Sequence, residues 1–271
     1  MELHQTEYLS HAFSEQSCYI NFKEIVANCI VIAPEIQVLK EGMIMMEFQS
    51  MTIEEIEEGL HQNGRPLELA TFGMGCFWGP EARFGSIPGV VRTRVGFAGG
   101  TLPSPTYRRM GDHTETVQIE FDPSTISYAE VLREFWQNHY PNRDNYKGRQ
   151  YISLLHYHTE QQRQTIDVIR EEMELQLGEP IETEISPFSQ FTSAEERHQK
   201  YYLKRYPKAL EQTAELYPNL ALLTDSTFAA RLNGFVKGYG TKNGVLEEIA
   251  QWSIGENEKA YLIALFSKMK W

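Results

Sequence analysis

A lone cysteine beside two aromatic rings is the feature of this sequence best suited to chemistry. Cys76 lies in Gly75-Cys76-Phe77-Trp78-Gly79, directly after residues 67–72, whose alternation of apolar and polar side chains predicts a half-buried strand. Pro80 and Glu81 suit the first turn of a helix that would follow. Unpaired N–H groups at a helix N-terminus favour the thiolate, which is the nucleophilic form of cysteine. The pattern indicates a reactive thiol, with an inert, buried cysteine as the alternative.

The same pentapeptide resembles the signature of the A-type peptide methionine sulfoxide reductases. The resemblance continues in one order through about residue 207, and a weaker similarity follows at 229–235. The matching stretches are Pro88–Val91, Val95–Gly100, Pro105–Tyr107, His113–Glu115, Phe121–Pro123, Ile126–Tyr128, Phe135–His139, Gln150–Ser153, Thr183–Ile185 and Ala194–Gln199. The family implies an α/β two-layer sandwich and thiol-dependent reduction of methionine S-sulfoxide, free or in proteins.

The resemblance also implies catalytic roles for four residues. Cys76 would attack the sulfoxide sulfur and become a sulfenic acid, the reversible first step of cysteine oxidation. Glu115 would protonate the sulfoxide oxygen, because burial raises the pKa of a carboxyl. The hydroxyls of Tyr107 and Tyr151 would hydrogen-bond that oxygen. Judged without the family, Glu115 could be a solvent-facing strand residue, and both tyrosines could be structural.

Substrate binding has four further candidates. The resemblance assigns Phe77 and Trp78 to a pocket for the S-methyl group, and both residues could equally be core. Tyr146 stands where the family usually carries an aspartate, five residues before Tyr151. Asp144 lies two residues away and could substitute for that aspartate, or substrate binding could differ.

The cysteine content bears on how the enzyme would be recycled. Three cysteines in 271 residues argue against a disulfide framework and predict a reducing, cytoplasmic location. Many members use resolving cysteines near the C-terminus, whereas no cysteine follows Cys76 here. We expect an external thiol of the thioredoxin, glutaredoxin or glutathione type and no bound cofactor. Attack by Cys18 or Cys29 is the alternative, although Cys29 lies in an apolar run typical of a buried residue.

The charge and apolar content of the sequence limit the classes of binding partner that we expect. A net charge of -12 makes nucleic acid an unexpected partner, and no apolar run reaches the roughly 20 residues that cross a bilayer. The expected partners are oxidised methionine in peptides or proteins and a thiol reductant protein. His156 and His158 share one strand face, but the spacing shows no third ligand, so we expect no metal.

Three segments organise the chain. Residues 1–65 hold eleven Glu and three cations, a net charge of -8, and read as an acidic, Met-rich extension. Met43, Met45 and Met46 could be oxidation sensors there or could pack an apolar face. Residues 66–210 form the predicted catalytic domain, and residues 211–271 a mainly helical extension with a break at 234–244 and a helix over 247–266.

Within the catalytic domain, periodicity predicts a βαββαβ arrangement, which indicates a mixed or antiparallel sheet covered by helices. The predicted strands cover 67–73, 90–97, 114–121 and 150–157, and the predicted helices 77–86, 127–139 and 159–177. Two other functions remain open from the residues alone: acyl transfer by Cys76 with a histidine, and a non-catalytic module that binds methionine sulfoxide or a protein.

Overall fold

A computed structural model describes residues 66–142, 148–217 and 219–271 of the chain. Some of the residues discussed above lie outside the described residues: the acidic extension with Met43, Met45 and Met46, the cysteines Cys18 and Cys29, and the loop residues Asp144 and Tyr146. Among the residues described, no helix is both long enough and apolar enough to cross a membrane.

Six strands form one sheet at the centre of the described region. They are β1 (Glu68–Met74), β2 (Val90–Ala98), β3 (Thr114–Phe121), β4 (Ser153–Tyr157), β5 (Glu184–Pro187) and β6 (Phe191–Ser193). Their order is β5-β4-β1-β3-β2-β6, and every neighbouring pair is antiparallel except β4 with β5. The predicted mixed sheet is therefore confirmed.

Three helices follow the strands in the predicted βαββαβ order and complete the α/β sandwich. They are α1 (Trp78–Gly85), α2 (Tyr128–Gln137) and α3 (Glu160–Leu177). A capping box between Ser127 and Glu130 starts α2, whose apolar stripe faces the sheet. The buried members of that stripe are Tyr128, Val131, Leu132, Phe135 and Trp136.

Five helices make up the C-terminal part: α4 (Pro207–Ala214), α5 (Leu220–Thr224), α6 (Thr227–Lys237), α7 (Lys242–Gln251) and α8 (Glu256–Lys268). They enclose an apolar core of their own that includes Leu223, Phe228, Ile249 and Phe266. A bidentate ion pair joins this part to the sheet, since Arg94 Nε and Nη2 donate to Asp225 at 2.5 and 2.6 Å. The boundary at residue 210 stays a prediction.

Several sequence expectations differ from the structure. The short strands β5 and β6 were not predicted, and β4 starts at Ser153 because residues 148–151 form a 3₁₀ turn. Gly234 was expected to break a helix but lies inside α6. A Cβ at Gly234 would stand 2.8 Å from the Ala82 carbonyl oxygen, so glycine is needed for close packing against α1. The helix expected over 247–266 is divided at Trp252, which adopts an extended conformation.

Candidate functional site

The Cys76 thiol lies in the turn between β1 and α1. Gly75 has a φ of +85°, a left-handed conformation that suits glycine, and it turns the chain so that Cys76 precedes the helix. Phe77 is the N-cap residue of α1, and the Trp78 backbone N–H donates to the Cys76 sulfur. Cys76 is a free cysteine on the exposed side of this turn. The predicted position at the strand–helix junction is confirmed.

The resting state of the thiol differs from the sequence expectation. Burial of the sulfur raises the pKa of Cys76, the Trp78 N–H lowers it, and the Glu115 carboxylate raises it again. The net pKa lies above the ordinary value of 9.0, so the thiol is protonated near neutrality. The N–H groups of the helix N-terminus do not lower the pKa below its ordinary value, because partial burial of the sulfur and the charge of Glu115 both favour the neutral thiol.

Glu115 is a buried carboxyl at the end of the sheet nearest to Cys76. Its neighbour on β2 in the strand register is Phe97, and both residues are 0% exposed. The carboxylate accepts hydrogen bonds from the Phe77 N–H at 3.2 Å and from Gln150 Nε2 at 2.8 Å. Burial raises the pKa of Glu115, although these donors and Tyr151 lower it. A strand glutamate facing solvent is therefore not what the structure shows.

The two candidate tyrosines meet at this carboxyl. The Tyr151 hydroxyl lies within hydrogen-bonding reach of the Tyr107 hydroxyl and of Glu115. Burial and the Glu115 charge raise the pKa of Tyr107, and the same two causes raise the pKa of Tyr151. Both phenols thus keep their protons and can act as hydrogen-bond donors beside Cys76.

A cluster of rings forms the apolar part of the site. The centroid of Phe77 lies 6.4 Å from those of Trp78 and Tyr107 and 5.5 Å from that of His198. Tyr201 stacks on Trp78 at 3.7 Å with an interplanar angle of 2°. These side chains can enclose a methyl group next to the thiol.

Sequence reasoning missed three side chains that support this arrangement. Gln150 donates to Glu115, and its only sequence signal was its place in a matching stretch before Tyr151. His198, whose only sequence signal was its place in the matching stretch Ala194–Gln199, lies in a 3₁₀ turn and stacks on Tyr107 at 4.5 Å. Glu195 accepts the Tyr107 backbone N–H at 3.3 Å and thereby holds the loop that carries this tyrosine.

A fully buried ion pair fixes the segment behind the ring cluster. Lys200 Nζ lies 2.9 Å from Glu81 Oε1, both side chains are 0% exposed, and the Lys200 N–H donates to Glu81 Oε2 at 2.9 Å. Lys200 has a φ of +49°, a left-handed conformation that is uncommon for a residue with a side chain. Because Glu81 belongs to the first turn of α1, the pair ties His198 and Tyr201 to the helix that follows Cys76.

A surface ion pair fixes the turn that carries Gln150 and Tyr151. Arg149 donates from Nη1 and Nη2 to Glu184 at 2.7 and 2.8 Å, which links the turn to β5. The Arg149 carbonyl accepts from Thr114 Oγ1 at 2.8 Å, next to Glu115 on β3. Both interactions set the position of the Gln150 amide relative to the buried carboxyl.

His156 and His158 belong to another part of the sheet. His156 lies 3.0 Å from Ser186 Oγ, and His158 Nε2 lies 3.0 Å from Thr71 Oγ1. Within the described ranges, no group of three His, Cys, Asp or Glu side chains is placed to hold a metal ion.

Comparison with known proteins adds independent information. The family model of peptide methionine sulfoxide reductase matches residues 68–230. A Drosophila melanogaster peptide methionine sulfoxide reductase is 47% identical over 172 residues, which cover 63% of this chain and 69% of that protein. MsrA of Methanoculleus marisnigri is 45% identical over 152 residues, covering 52% of this chain and 92% of that protein. Reduced Mxr1 of Saccharomyces cerevisiae is a structural neighbour with 31% identity, a TM-score of 0.48, and coverage of 53% of this chain and 87% of that one.

The protein is an enzyme of the oxidoreductase class, built on an α/β sandwich with a thiol at a helix N-terminus. Since the family model covers well over half of the sequence, the chain belongs to the peptide methionine sulfoxide reductases of the A type.

Proposed function

We propose that this protein reduces the S epimer of methionine sulfoxide, free or in proteins, to methionine, with Cys76 as the nucleophile. The observation that carries the proposal is the network of Cys76, Glu115, Tyr107 and Tyr151 beside the ring cluster. It supplies the three things the reaction needs: a nucleophile for sulfur, a proton for oxygen and an apolar slot for the methyl group.

In the first step, the Cys76 sulfur attacks the sulfoxide sulfur and forms an S–S bond. The oxygen then transfers to the Cys76 sulfur, as the S–O bond of the substrate and the new S–S bond break, which leaves Cys76 as a sulfenic acid. Methionine leaves, so that the substrate sulfur is reduced by two electrons and Cys76 is oxidised by two. Glu115 takes the thiol proton and donates it to the oxygen, so that the one proton shared by the two groups ends on the sulfenic acid. The two groups act together because the charge of Glu115 raises the pKa of Cys76, so protonation of Glu115 makes the thiolate easier to form.

The remaining side chains position the substrate. The hydroxyls of Tyr107 and Tyr151 point their protons at the sulfoxide oxygen as negative charge develops on it. Phe77 and Trp78 enclose the S-methyl group, with His198 closing the same pocket through its contacts with both rings. We assign contacts with the rest of the substrate to Tyr146 or Asp144.

An external thiol completes the cycle. It attacks the sulfenic sulfur, water leaves, and a second thiol of the reductant resolves the mixed disulfide. A thioredoxin, a glutaredoxin or glutathione has the required chemistry, and Cys18 and Cys29 are the intramolecular alternative. We place this reaction in the cytoplasm, because the low cysteine content suits a reducing compartment.

A single-turnover experiment tests the proposal. Pre-reduced protein is mixed with each separated epimer of methionine sulfoxide without reductant, and the methionine formed and thiols lost are counted per chain. We expect one methionine from the S epimer with loss of one thiol. Cys76→Ser should give none, whereas Cys18→Ser and Cys29→Ser serve as matched controls and should react as the unmodified chain does. Loss of two thiols would transfer the recycling step to Cys18 or Cys29.

Absence of methionine from both epimers, with Cys76 confirmed as reduced, would overturn the proposal. It would leave a non-catalytic module that binds methionine sulfoxide as the better account.

A further inference from the structure

The ring cluster continues away from Cys76 as an aromatic shelf, which we define as Trp78, Tyr201 and Tyr202. Tyr201 stacks on Trp78 at 3.7 Å, and Tyr202 meets Tyr201 edge-on at 5.5 Å with an interplanar angle of 81°. Burial raises the pKa of Tyr202, and so does the charge of Cys76, which places this phenol within electrostatic range of the thiol. The shelf therefore extends one side of the site beyond the pocket for the methyl group.

Each of the outer two rings carries a cation. The Arg205 guanidinium lies 5.5 Å from the centroid of Tyr201, and its Nη1 donates to the Tyr201 hydroxyl at 2.9 Å. Lys237 Nζ, at the end of α6, lies 5.0 Å from the centroid of Tyr202. Ring contacts of this kind hold a cation at a defined place while its outer side stays in water. Both residues are exposed.

The charges of these two cations are not neutralised by the part of the chain that the structure describes. Nearby cations have carboxylate partners: Lys200 pairs with Glu81, and Lys204 pairs with Glu196. By contrast, Arg205 and Lys237 make ring and hydroxyl contacts, and no described carboxylate lies within ion-pair distance of either. In a chain with a net charge of -12, two cations without a carboxylate partner among the described residues therefore lie on the rings that continue the site.

We propose that Arg205 and Lys237 make this site selective for peptides that carry Asp or Glu next to the oxidised methionine. The inference rests on the proposed function and adds the substrate class. With the methionine side chain in the ring pocket, the adjoining peptide extends over the aromatic shelf, where its carboxylates meet the two cations. Free methionine sulfoxide has no such neighbours, so its turnover tests the proposed function separately.

Three synthetic peptides test the selectivity. They carry one S-epimer methionine sulfoxide flanked by Asp, by Asn or by Lys, and kcat/KM is measured for each with dithiothreitol as the reductant. Each exposed charge pair has a small effect, and two pairs act together here. We therefore expect kcat/KM for the Asp peptide to exceed that for the Asn peptide by about 5- to 20-fold at low salt, and kcat/KM for the Lys peptide to be lower than both. The advantage should shrink several-fold in about 0.5 M salt, because screening weakens exposed charge pairs.

The decisive variant is Arg205→Gln combined with Lys237→Gln, in which the ratio of the Asp to the Asn peptide should fall to about one. The matched control is Lys208→Gln combined with Lys268→Gln. It also removes two positive charges, one from α4 and one from α8, and it should keep the wild-type ratio. Equal rates for all three peptides with the wild-type protein would overturn the inference. So would an Asp preference that survives in the Arg205/Lys237 variant, or one that the control variant loses equally. If free methionine sulfoxide is not reduced either, the proposed function fails instead.

Discussion

Replacing Lys200 with Met should destabilise the protein severely, because it leaves a carboxyl buried without its partner. In the native protein, Lys200 Nζ is 2.9 Å from Glu81 Oε1 and also donates to the Thr93 carbonyl at 2.7 Å. At 2.9 Å and an effective dielectric constant of about 20, the gross attraction is about 6 kcal/mol. Desolvation of the two ions costs several kcal/mol each, so the net value of the pair is far smaller.

The expected loss follows from the charge that remains. Removing one partner of a buried pair costs about 3–5 kcal/mol, a large part of the roughly 5–15 kcal/mol by which domains are stable. Glu81→Gln should cost a comparable amount, because it leaves the ammonium of Lys200 unpaired. The double variant Glu81→Leu/Lys200→Met removes both charges and should recover most of the loss.

The pH dependence of the free energy of unfolding gives a second test of the buried pair. Burial raises the pKa of Glu81 above 4.5, and Lys200 opposes this rise through its charge and its hydrogen bonds. Without Lys200 the pKa of Glu81 rises further. A group whose pKa is raised by folding contributes stability that is complete below its ordinary pKa and is lost as the pH rises through the folded value. The Lys200→Met protein should therefore lose up to about 1.4 kcal/mol per pH unit, relative to the unmodified protein, between the folded pKa of Glu81 in the unmodified protein and the higher folded pKa in the variant.

Urea unfolding at several pH values, followed by tryptophan fluorescence, measures both effects. Lys204→Met is the matched control, since its ion pair with Glu196 is partly exposed and should be worth no more than about 1 kcal/mol. The reasoning would be refuted if Lys200→Met unfolded within about 1 kcal/mol of the unmodified protein at pH 7 and showed no added dependence on pH.

Three further predictions concern the site. If Glu115 and Cys76 share one proton in the reaction, a plot of kcat/KM against pH should be bell-shaped. Glu115→Gln should lower kcat by about 10²- to 10⁴-fold and leave a profile that only rises with pH. A bell-shaped profile in that variant would contradict the role of Glu115. Gln150→Leu removes a donor that lowers the pKa of Glu115, so the acidic limb of the profile should move to higher pH, whereas an unmoved limb would mean that the contact has no electrostatic effect. Gly75→Ala forces a side chain into a φ of +85° and should cost about 1–2 kcal/mol in urea unfolding, with a lower kcat because Cys76 is displaced.

The sequence by itself determined the order of the elements that carry the site. The strand β1 and the helix α2 depend on neighbours within a few residues, and both elements were predicted. The predicted half-burial of β1 was wrong, because residues 70–74 are buried on both faces of the sheet. The junction that holds Cys76 is local in the same sense. Glu115, Tyr107 and Tyr151 could be named only through the resemblance, since an isolated strand glutamate or loop tyrosine has no local signal.

The tertiary structure alone decided how these residues act on one another. The pKa of Cys76 is raised because a carboxyl 39 positions away lies beside it, whereas the local pattern predicted a thiolate. Lys200 and Glu81 are 119 positions apart, and Gly234 is tolerated in a helix because α1 packs closely against it. Periodicity in the sequence indicates which face of an element is buried. Whether a charged group is buried, which group pairs with it and whether it is protonated depend on groups that only the folded chain brings within a few ångströms.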